Sequence, residues 1–296
     1  MDPLSQPPED PNKLQQEIMD GIITLKHQHR SLNVKGAIVR IPEDGDIVIV
    51  GDIHGDFNSL KRIIEKTNII DRMEKSDSQY LVFLGDYIDR GSQQIEVLHT
   101  VLRLLNEHPN QVFPLRGNHE GPRDLRASPH DFPQHLRYHY GESGIKLYNS
   151  FQQLFENFYV AAYINEKALL VHGGIPTSAS SLDELAEAPR THPSEPHLTE
   201  ILWNDPSSIP GILPNPRGAG KQFGNDVANK FLDDIGARLL IRGHQSAEEG
   251  YRIQGRIITL FSCKLPHYGN ENAAYLDVDL NKPLNQDTVS WFIETF

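Results

Sequence analysis

Cysteine is the scarcest residue of this 296-residue chain. Cys263 stands alone, so no internal disulfide is available and folding does not depend on an oxidising compartment. Long apolar runs are missing as well: none approaches the ~18 residues that a membrane-spanning helix needs. Positive charge is short, with 28 Lys and Arg against 40 Asp and Glu, a formal net charge of −12. Without a run of Lys or Arg, the chain lacks the basic stripe that releases counterions from a nucleic acid. No nucleic-acid and no membrane partner is therefore expected. The start, Met1 to Asn12, is rich in Pro, Asp and Glu and lacks the basic and apolar regions of a secretory signal. The expected location is cytoplasmic.

What is present fits a globular protein: 38% hydrophobic and 8% aromatic residues exceed what disordered chains carry. Residues 1–12 read as a flexible N-terminal tail and residues 13–296 as a single domain, with no internal repeat or dividing linker. Leu14, Ile18, Ile22 and Leu25 recur at helical spacing and predict a helix over Lys13 to Arg30. Strand and helix patterns then alternate. Ile47–Val50, Tyr80–Leu84 and Gln111–Leu115 read as strands, with helices over Leu60–Ile69 and Gln94–Glu107 between them. Such alternation predicts parallel strands covered by helices. In the second half a helix is expected near Lys146–Phe158 and another over Asp226–Ile235. Short strands are expected at Val160–Ile164, Ala168–Val171, Leu239–Ile241, Tyr251–Ile253, Arg256–Phe261, Ala274–Val278 and Val289–Ile293, in a more antiparallel arrangement. Two proline-bearing stretches, Gly121–Arg137 and Pro206–Gly224, read as long irregular loops, which inside a compact domain are often functional.

Five polar clusters follow directly on five of the apolar runs: Gly51-Asp52-Ile53-His54-Gly55, Gly85-Asp86-Tyr87-Ile88-Asp89-Arg90-Gly91, Gly117-Asn118-His119-Glu120, His172-Gly173-Gly174 and Arg242-Gly243-His244. Ligands of open α/β sheets gather beyond the carboxyl ends of strands, so these clusters are expected to converge on one crevice. Carboxylates, imidazoles and an amide oxygen suit Mn²⁺, Fe or Zn²⁺ better than a thiolate site would. Two such ions about 3.5–4 Å apart clamp a phosphoryl group and activate water near neutral pH. Single elements of this pattern are weak, since Asp-x-His or Asp-Arg-Gly alone is commonly a turn; their conjunction at strand ends is what carries the argument. His27, His29, His99, His108 and His192 read as ordinary surface or helix residues.

The ordered set GDIHG, GDYIDRG, RGNHE, VHGG and RGH resembles the phosphoprotein phosphatase family, the metal-dependent serine/threonine phosphatases that include calcineurin. The resemblance spans Gly51 to about Tyr275. It implies the calcineurin-like metallophosphoesterase fold, an α/β chain with a central β-sandwich of two mixed sheets flanked by helices. It implies two divalent metal ions, Mn most readily and Fe or Zn as alternatives. Asp52, His54 and Asp86 would hold the first, and Asp86, Asn118, His172 and His244 the second, with Asp86 shared. A metal-bridging hydroxide would attack phosphorus in line. His119 resembles the general acid, oriented by Asp89, and a neighbouring carboxylate does keep an imidazole protonated near neutrality. Arg90 and Arg217 resemble the clamps on the substrate phosphate, a task for which a planar guanidinium is suited, while Asn118 and Tyr268 also border it.

The chain departs from the family's animal members in two places. Their Pro-Asn-Tyr-Cys turn is here Pro266-His267-Tyr268-Gly269, and Gly121-Pro122-Arg123-Asp124 follows Glu120. Inhibitor behaviour and peptide preference are therefore not carried over. Arg123 and Arg126 are left between a substrate contact and a solvated loop, and Arg116 and Arg242 read as structural partners of acidic neighbours. No calmodulin-type tail is expected after Phe296, and regulatory subunits are not legible. The resemblance implies hydrolysis of phosphoserine and phosphothreonine in phosphorylated proteins or peptides. The alternatives are a small-molecule metallophosphoesterase, such as a dinucleoside polyphosphate hydrolase, and a non-catalytic phosphoprotein-binding module.

Overall fold

Alternating apolar residues create the two sheets, and helical stripes cover them. The computed structural model describes residues 3–31 and 34–296. Helix α1 (Pro11–Ser31) buries Leu14, Ile18, Ile22 and Leu25, the stripe its spacing predicts. Strands β1 (Val34–Lys35), β2 (Ile38–Ile41) and β3 (Asp46–Val50) follow. Helix α2 (Phe57–Thr67) starts at Asp56, whose carboxylate accepts from the Ser59 amide at 3.1 Å. It ends where Asn68 takes a left-handed φ of 50°, a conformation asparagine tolerates, and α3 (Ile69–Lys75) begins there. One expected helix is thus two. Then come β4 (Gln79–Phe83), α4 (Gln94–Glu107) and β5 (Val112–Pro114).

The stretch expected to be irregular over Gly121–Arg137 contains the start of α5 (Phe132–Tyr140). Pro133 stands in its first turn, where a missing N–H costs no helical bond. Helix α6 (Ser143–Phe155), strands β6 (Ala161–Ile164) and β7 (Ala168–Val171), and helices α7 (Leu182–Thr191) and α8 (His197–Trp203) follow. The second expected loop, Pro206–Gly224, is partly ordered: β8 (Asp205–Pro206), β9 (Ile212–Pro214) and β10 (Lys221–Phe223) form a small three-stranded sheet. Helix α9 (Asn225–Ile235), β11 (Leu239–Arg242), β12 (Tyr251–Gln254), β13 (Ile257–Leu260), β14 (Ala274–Asp279) and β15 (Ile293–Thr295) complete the chain. The expected strand Val289–Ile293 is instead a 3₁₀ turn over Val289–Phe292 leading into β15. Val289 and Phe292 are buried while Ser290 and Trp291 are exposed, a three-residue period rather than the two of a strand.

A five-stranded sheet runs β15-β14-β3-β4-β5, with β3, β4 and β5 parallel as expected. A seven-stranded sheet runs β1-β2-β6-β7-β11-β13-β12. It is mixed rather than mainly antiparallel: β2–β6, β7–β11 and β11–β13 are parallel pairs. The helices α7, α8 and α9 lie in sequence between β7 and β11 and give the chain its return path. Period-two alternation makes the seven-stranded sheet two-faced. Val39, Ile41, Ala162, Leu170, Ile241 and Ile258 join the core shared with the five-stranded sheet, α1, α2, α4 and α6. Ile38, Ala161, Leu169, Val171, Leu240 and Ile257 join a second core under α7, α8 and α9. The architecture is the expected two-sheet sandwich flanked by helices. The segment expected as a flexible tail lies along this body: Leu4 packs on the first core and the Tyr140 hydroxyl donates to the Pro8 carbonyl at 2.9 Å. Met1 and Asp2 of that segment lie outside the described residues. No described helix is long and apolar enough to cross a membrane.

Candidate active site

Beyond the carboxyl ends of β3, β4, β5, β7 and β11 stand Asp52, Asp86, Asn118, His172 and His244, so both sheets feed one crevice. The backbone there is strained. Seven non-glycine residues have positive φ among the described residues, and five of them are His54 (46°), Asp86 (56°), Asp89 (65°), Arg90 (74°) and His244 (67°). Such conformations persist only where the surroundings over-determine them. Glu120 does much of that work. Its carboxylate is buried and accepts from the amides of Asp86 (2.9 Å), Tyr87 (2.9 Å), Ile88 (3.3 Å) and Gly117 (3.1 Å), tying the Asp86 loop to the Asn118 loop. A side chain at Gly117 would run into the Asp86 amide and carboxylate, so only glycine lets the two loops approach this closely.

The expected ligands do meet. Asp86 presents one oxygen to each side: Oδ2 lies 3.5 Å from His54 Nε2, and Oδ1 lies 3.3 Å from His172 Nε2. Asp52 Oδ2 is 3.9 Å from His54 Nε2. Asn118 Oδ1 is 2.9 Å from His172 Nε2 and 3.0 Å from His244 Nδ1. The tautomers are set from behind, as in metal centres. His54 Nδ1 donates to the Ile88 carbonyl and His172 Nδ1 to the Leu84 carbonyl, both at 2.9 Å, which turns each Nε2 inward. Turning the Asn118 amide over would let its NH₂ donate to Asp86 and both histidines. In either orientation the Asn118 amide reaches Asp86, His172 and His244 at once. Burial and the adjacent Asp86 charge push Asp52 up to about 6. Burial pushes His54 down to about 3, and burial with His172 and two arginines holds His244 well below the ordinary imidazole value. For His172 burial opposes the imidazolium, but the Asp86 charge and contact raise it above the ordinary value, so the fit to divalent ions rests on the donor types gathered here: carboxylates, imidazoles and an amide.

His119 borders the same crevice, and its Nδ1 lies 2.6 Å from Asp89 Oδ2. Burial disfavours the imidazolium, yet the Asp86 charge and the Asp89 contact outweigh it and raise His119 above the ordinary value. Asp89 itself is fully buried and held well below the usual carboxylate range: burial opposes ionisation, and bonds from His119 and His130 overcome it. With Nδ1 engaged, Nε2 is the nitrogen His119 offers to the crevice.

A cavity of about 460 Å³ opens above this floor, walled by Arg90, Arg126, Arg217, Trp203 and Tyr268. Arg217 Nε donates to Asp205 Oδ2 at 2.6 Å and its Nη2 to the His244 carbonyl at 3.2 Å, so the guanidinium is aimed from outside the crevice. Tyr268 stacks on His54 with ring centroids 5.8 Å apart, and the Arg90 guanidinium lies 6.0 Å from its ring. Arg242 is fully buried and bonds Asp205 Oδ1 at 3.0 Å, the structural pairing expected of it. Arg116 donates to the Glu120 backbone carbonyl at 2.8 Å rather than to a carboxylate. Arg123 turns away toward Gln152 and Asn149, whereas Arg126 lines the cavity. None of His27, His29, His99, His108 and His192 does.

Of the residues singled out in the sequence, Asp52, His54, Asp86, Arg90, Asn118, His119, Arg217, His244 and Tyr268 line this cavity, and His172 and Asp89 stand behind it against Asp86 and His119. Two were missed: Glu120, although it closes the Asn-His-Glu motif, and His130, which bonds Asp89 at 2.8 Å. His130 lies in the proline-bearing stretch, where no periodic pattern marks it.

Comparison with known proteins agrees with this geometry. A sequence profile of the calcineurin-like phosphoesterase family matches residues 45–247. The chain is 33% identical over 244 residues to serine/threonine-protein phosphatase 5 of Arabidopsis thaliana, covering 79% of this chain and 43% of that protein. It is 34% identical over 229 residues to a serine/threonine-protein phosphatase of Caenorhabditis elegans, covering 76% and 48%. The chain thus spans less than half the length of these relatives. Among solved structures, a protein serine/threonine phosphatase from Saccharomyces cerevisiae with similarity to human phosphatase PP5 superposes with a TM-score of 0.80. That match has 26% identity and covers 97% of this chain and 90% of that one.

Proposed function

The chain belongs to the calcineurin-like phosphoesterase family, and from that premise we propose that it is a metal-dependent protein serine/threonine phosphatase, a phosphoric monoester hydrolase. Residues 13–296 act as one catalytic domain in this reading. The observation that carries it is the meeting, in one place, of Asp52, His54, Asp86, Asn118, His172 and His244 with the His119–Asp89 dyad. The relatives bearing the name serine/threonine-protein phosphatase support the choice of phosphorylated proteins as substrates. The lone, buried Cys263, which needs no oxidising compartment, supports a cytoplasmic location.

Asp52, His54 and Asp86 would hold one divalent ion and Asp86, Asn118, His172 and His244 a second, manganese being the first choice for reconstitution and iron or zinc the alternatives. When bound, such ions supply charge neutralisation at the phosphoryl group and a water ionised near neutral pH. Arg90 and Arg217 hold the non-bridging phosphate oxygens, and Asp205 and the His244 carbonyl keep Arg217 aimed. Asn118 and Tyr268 border the same phosphate. His119 Nε2 delivers its proton to the departing serine or threonine oxygen, which is a poor leaving group as an alkoxide. Once cations neutralise Asp86, the Asp89 contact is what keeps His119 protonated.

His119→Asn tests this directly. The variant keeps a donor toward Asp89 and removes the proton carrier. Turnover of a phosphothreonine peptide should fall by about 10²–10⁴, while p-nitrophenyl phosphate, whose leaving group needs little protonation, loses far less. Equal losses on the two substrates overturn the general-acid assignment.

A further inference from the structure

We propose that His130 is a positioning residue for this reaction, one that locks the Asp89 carboxylate and through it holds His119 in its proton-donating tautomer; the inference rests on His119 being the proton donor. Asp89 is clamped on both oxygens. Oδ1 accepts from the Asp131 and Phe132 amides at 2.9 and 3.0 Å, at the start of α5. Oδ2 is shared, with His119 Nδ1 at 2.6 Å and His130 Nδ1 at 2.8 Å.

A chain of hydrogen bonds stands behind His130. A guanidinium only donates, so Arg123 Nε fixes Gln152 with Oε1 toward itself. The Gln152 amide nitrogen then donates to the Tyr148 hydroxyl at 2.7 Å. The Tyr148 hydroxyl lies 2.7 Å from His130 Nε2 and holds the ring from behind. Asp89 is an ionised carboxylate and only accepts, so His130 Nδ1 donates to it. The relay begins at a group that can only donate and ends at an ionised carboxylate that can only accept.

Two consequences follow for His119. A second N–H on Oδ2 pins that oxygen where it accepts from His119 Nδ1. The carboxylate also cannot swing or take up water in place of His130, so the ring keeps Nε2 toward the cavity. His130 does not line the cavity, so its loss should reach the chemical step and not substrate binding. It stands two residues before α5 and is backed by Tyr148 and Gln152 of α6.

The experiment measures kcat on a phosphothreonine peptide and on p-nitrophenyl phosphate for the manganese-loaded chain and reads their ratio. His130→Ala should lower the peptide-to-nitrophenyl ratio about tenfold or more with KM for the peptide little changed, a share of the 10²–10⁴ that a general acid contributes. His130→Asn, which keeps a donor at the Nδ1 position, should restore the ratio to within about threefold of the unaltered chain. In a His119→Asn background His130→Ala should leave the ratio where His119→Asn put it. An unchanged ratio in His130→Ala, or a fall that persists in the His119→Asn background, overturns the proposal. Should His130→Ala not fold, Tyr148→Phe carries the same test by deleting one hydroxyl, and an unchanged ratio there overturns it. If His119→Asn itself leaves the ratio unchanged, the general-acid reading fails first; if it shifts the ratio and His130→Ala does not, only the role of His130 fails.

Discussion

Glu120 shows how one side chain builds the crevice without touching a ligand-bearing atom. Four backbone amides end on its carboxylate, and they belong to the two loops that carry Asp86, Asn118 and His119. An amide in its place turns an NH₂ toward N–H donors and leaves at least one or two of them unpaired. Glu120→Gln should therefore destabilise the chain by about 2–4 kcal/mol, which for a protein of this size lowers Tm by about 4–10 °C. It should also lower turnover, because Asp86 and Asp89 lose the support for their positive φ. Calorimetry alongside metal analysis checks this; a variant within half a degree of the parent and fully loaded with metal would show that the loops hold themselves. The residue scale is also where reading from sequence worked best and where its limit is plain. Asp52, His54, Asp86, Asn118, His172 and His244 were legible because each sits beside glycine after an apolar run, and His119 because it follows Asn118 directly. His130 was not, since a histidine in an irregular stretch gains its meaning only when the chain folds back onto Asp89.

Elements whose own pattern repeats were legible, and those defined by partners were not. Helix α4 carries its stripe and β7 its apolar run, and both have the expected bounds. The pairing of β7 with β11 is parallel because α7, α8 and α9 separate them in sequence, and α7 and α8 went unread behind prolines and short polar segments. Helix α7 does announce its start chemically. Ser181 caps it, accepting from the Glu184 amide, and Glu184 Oε2 accepts from the Ser180 amide at 2.9 Å and from the Ser181 hydroxyl at 2.9 Å, a reciprocal cap. No residue of α7 lines the cavity. Ser181→Ala should thus cost about 1 kcal/mol, a fall of about 2–4 °C in Tm, with kcat and KM unchanged. A change in kcat with no change in Tm would mean that α7 communicates with the crevice in a way its contacts do not suggest.

At the scale of the whole molecule, charge has opposite signs at different distances. The chain carries a formal −12, and two bound divalent ions would leave it at −8. Yet the cavity is walled by Arg90, Arg126 and Arg217, and the two carboxylates on its floor would be neutralised by the metals they hold. If the proposed function holds, an incoming phosphopeptide meets a repelling field first and an attracting pocket last. Salt separates the two, because the screening length is about 30 Å at 0.01 M and about 8 Å at 0.15 M. At low salt the acidic surface is felt across the whole approach; near physiological salt only the pocket is. For a phosphopeptide flanked by Asp and Glu, kcat/KM should rise between these two conditions, and for one flanked by Lys and Arg it should fall, by up to about tenfold each, the lower end of what steering achieves. p-Nitrophenyl phosphate, small and carrying only its own phosphate charge, should respond least and serves as the control for salt effects on the chemistry. If all three substrates move together, the salt acts on the metal centre or the fold, and the surface charge plays no part in choosing substrates. If the acidic peptide alone fails to rise, the arginines reach further than the surface carboxylates, and Arg126→Ala should then restore the rise by removing the one arginine of the three that was not assigned to the phosphate itself.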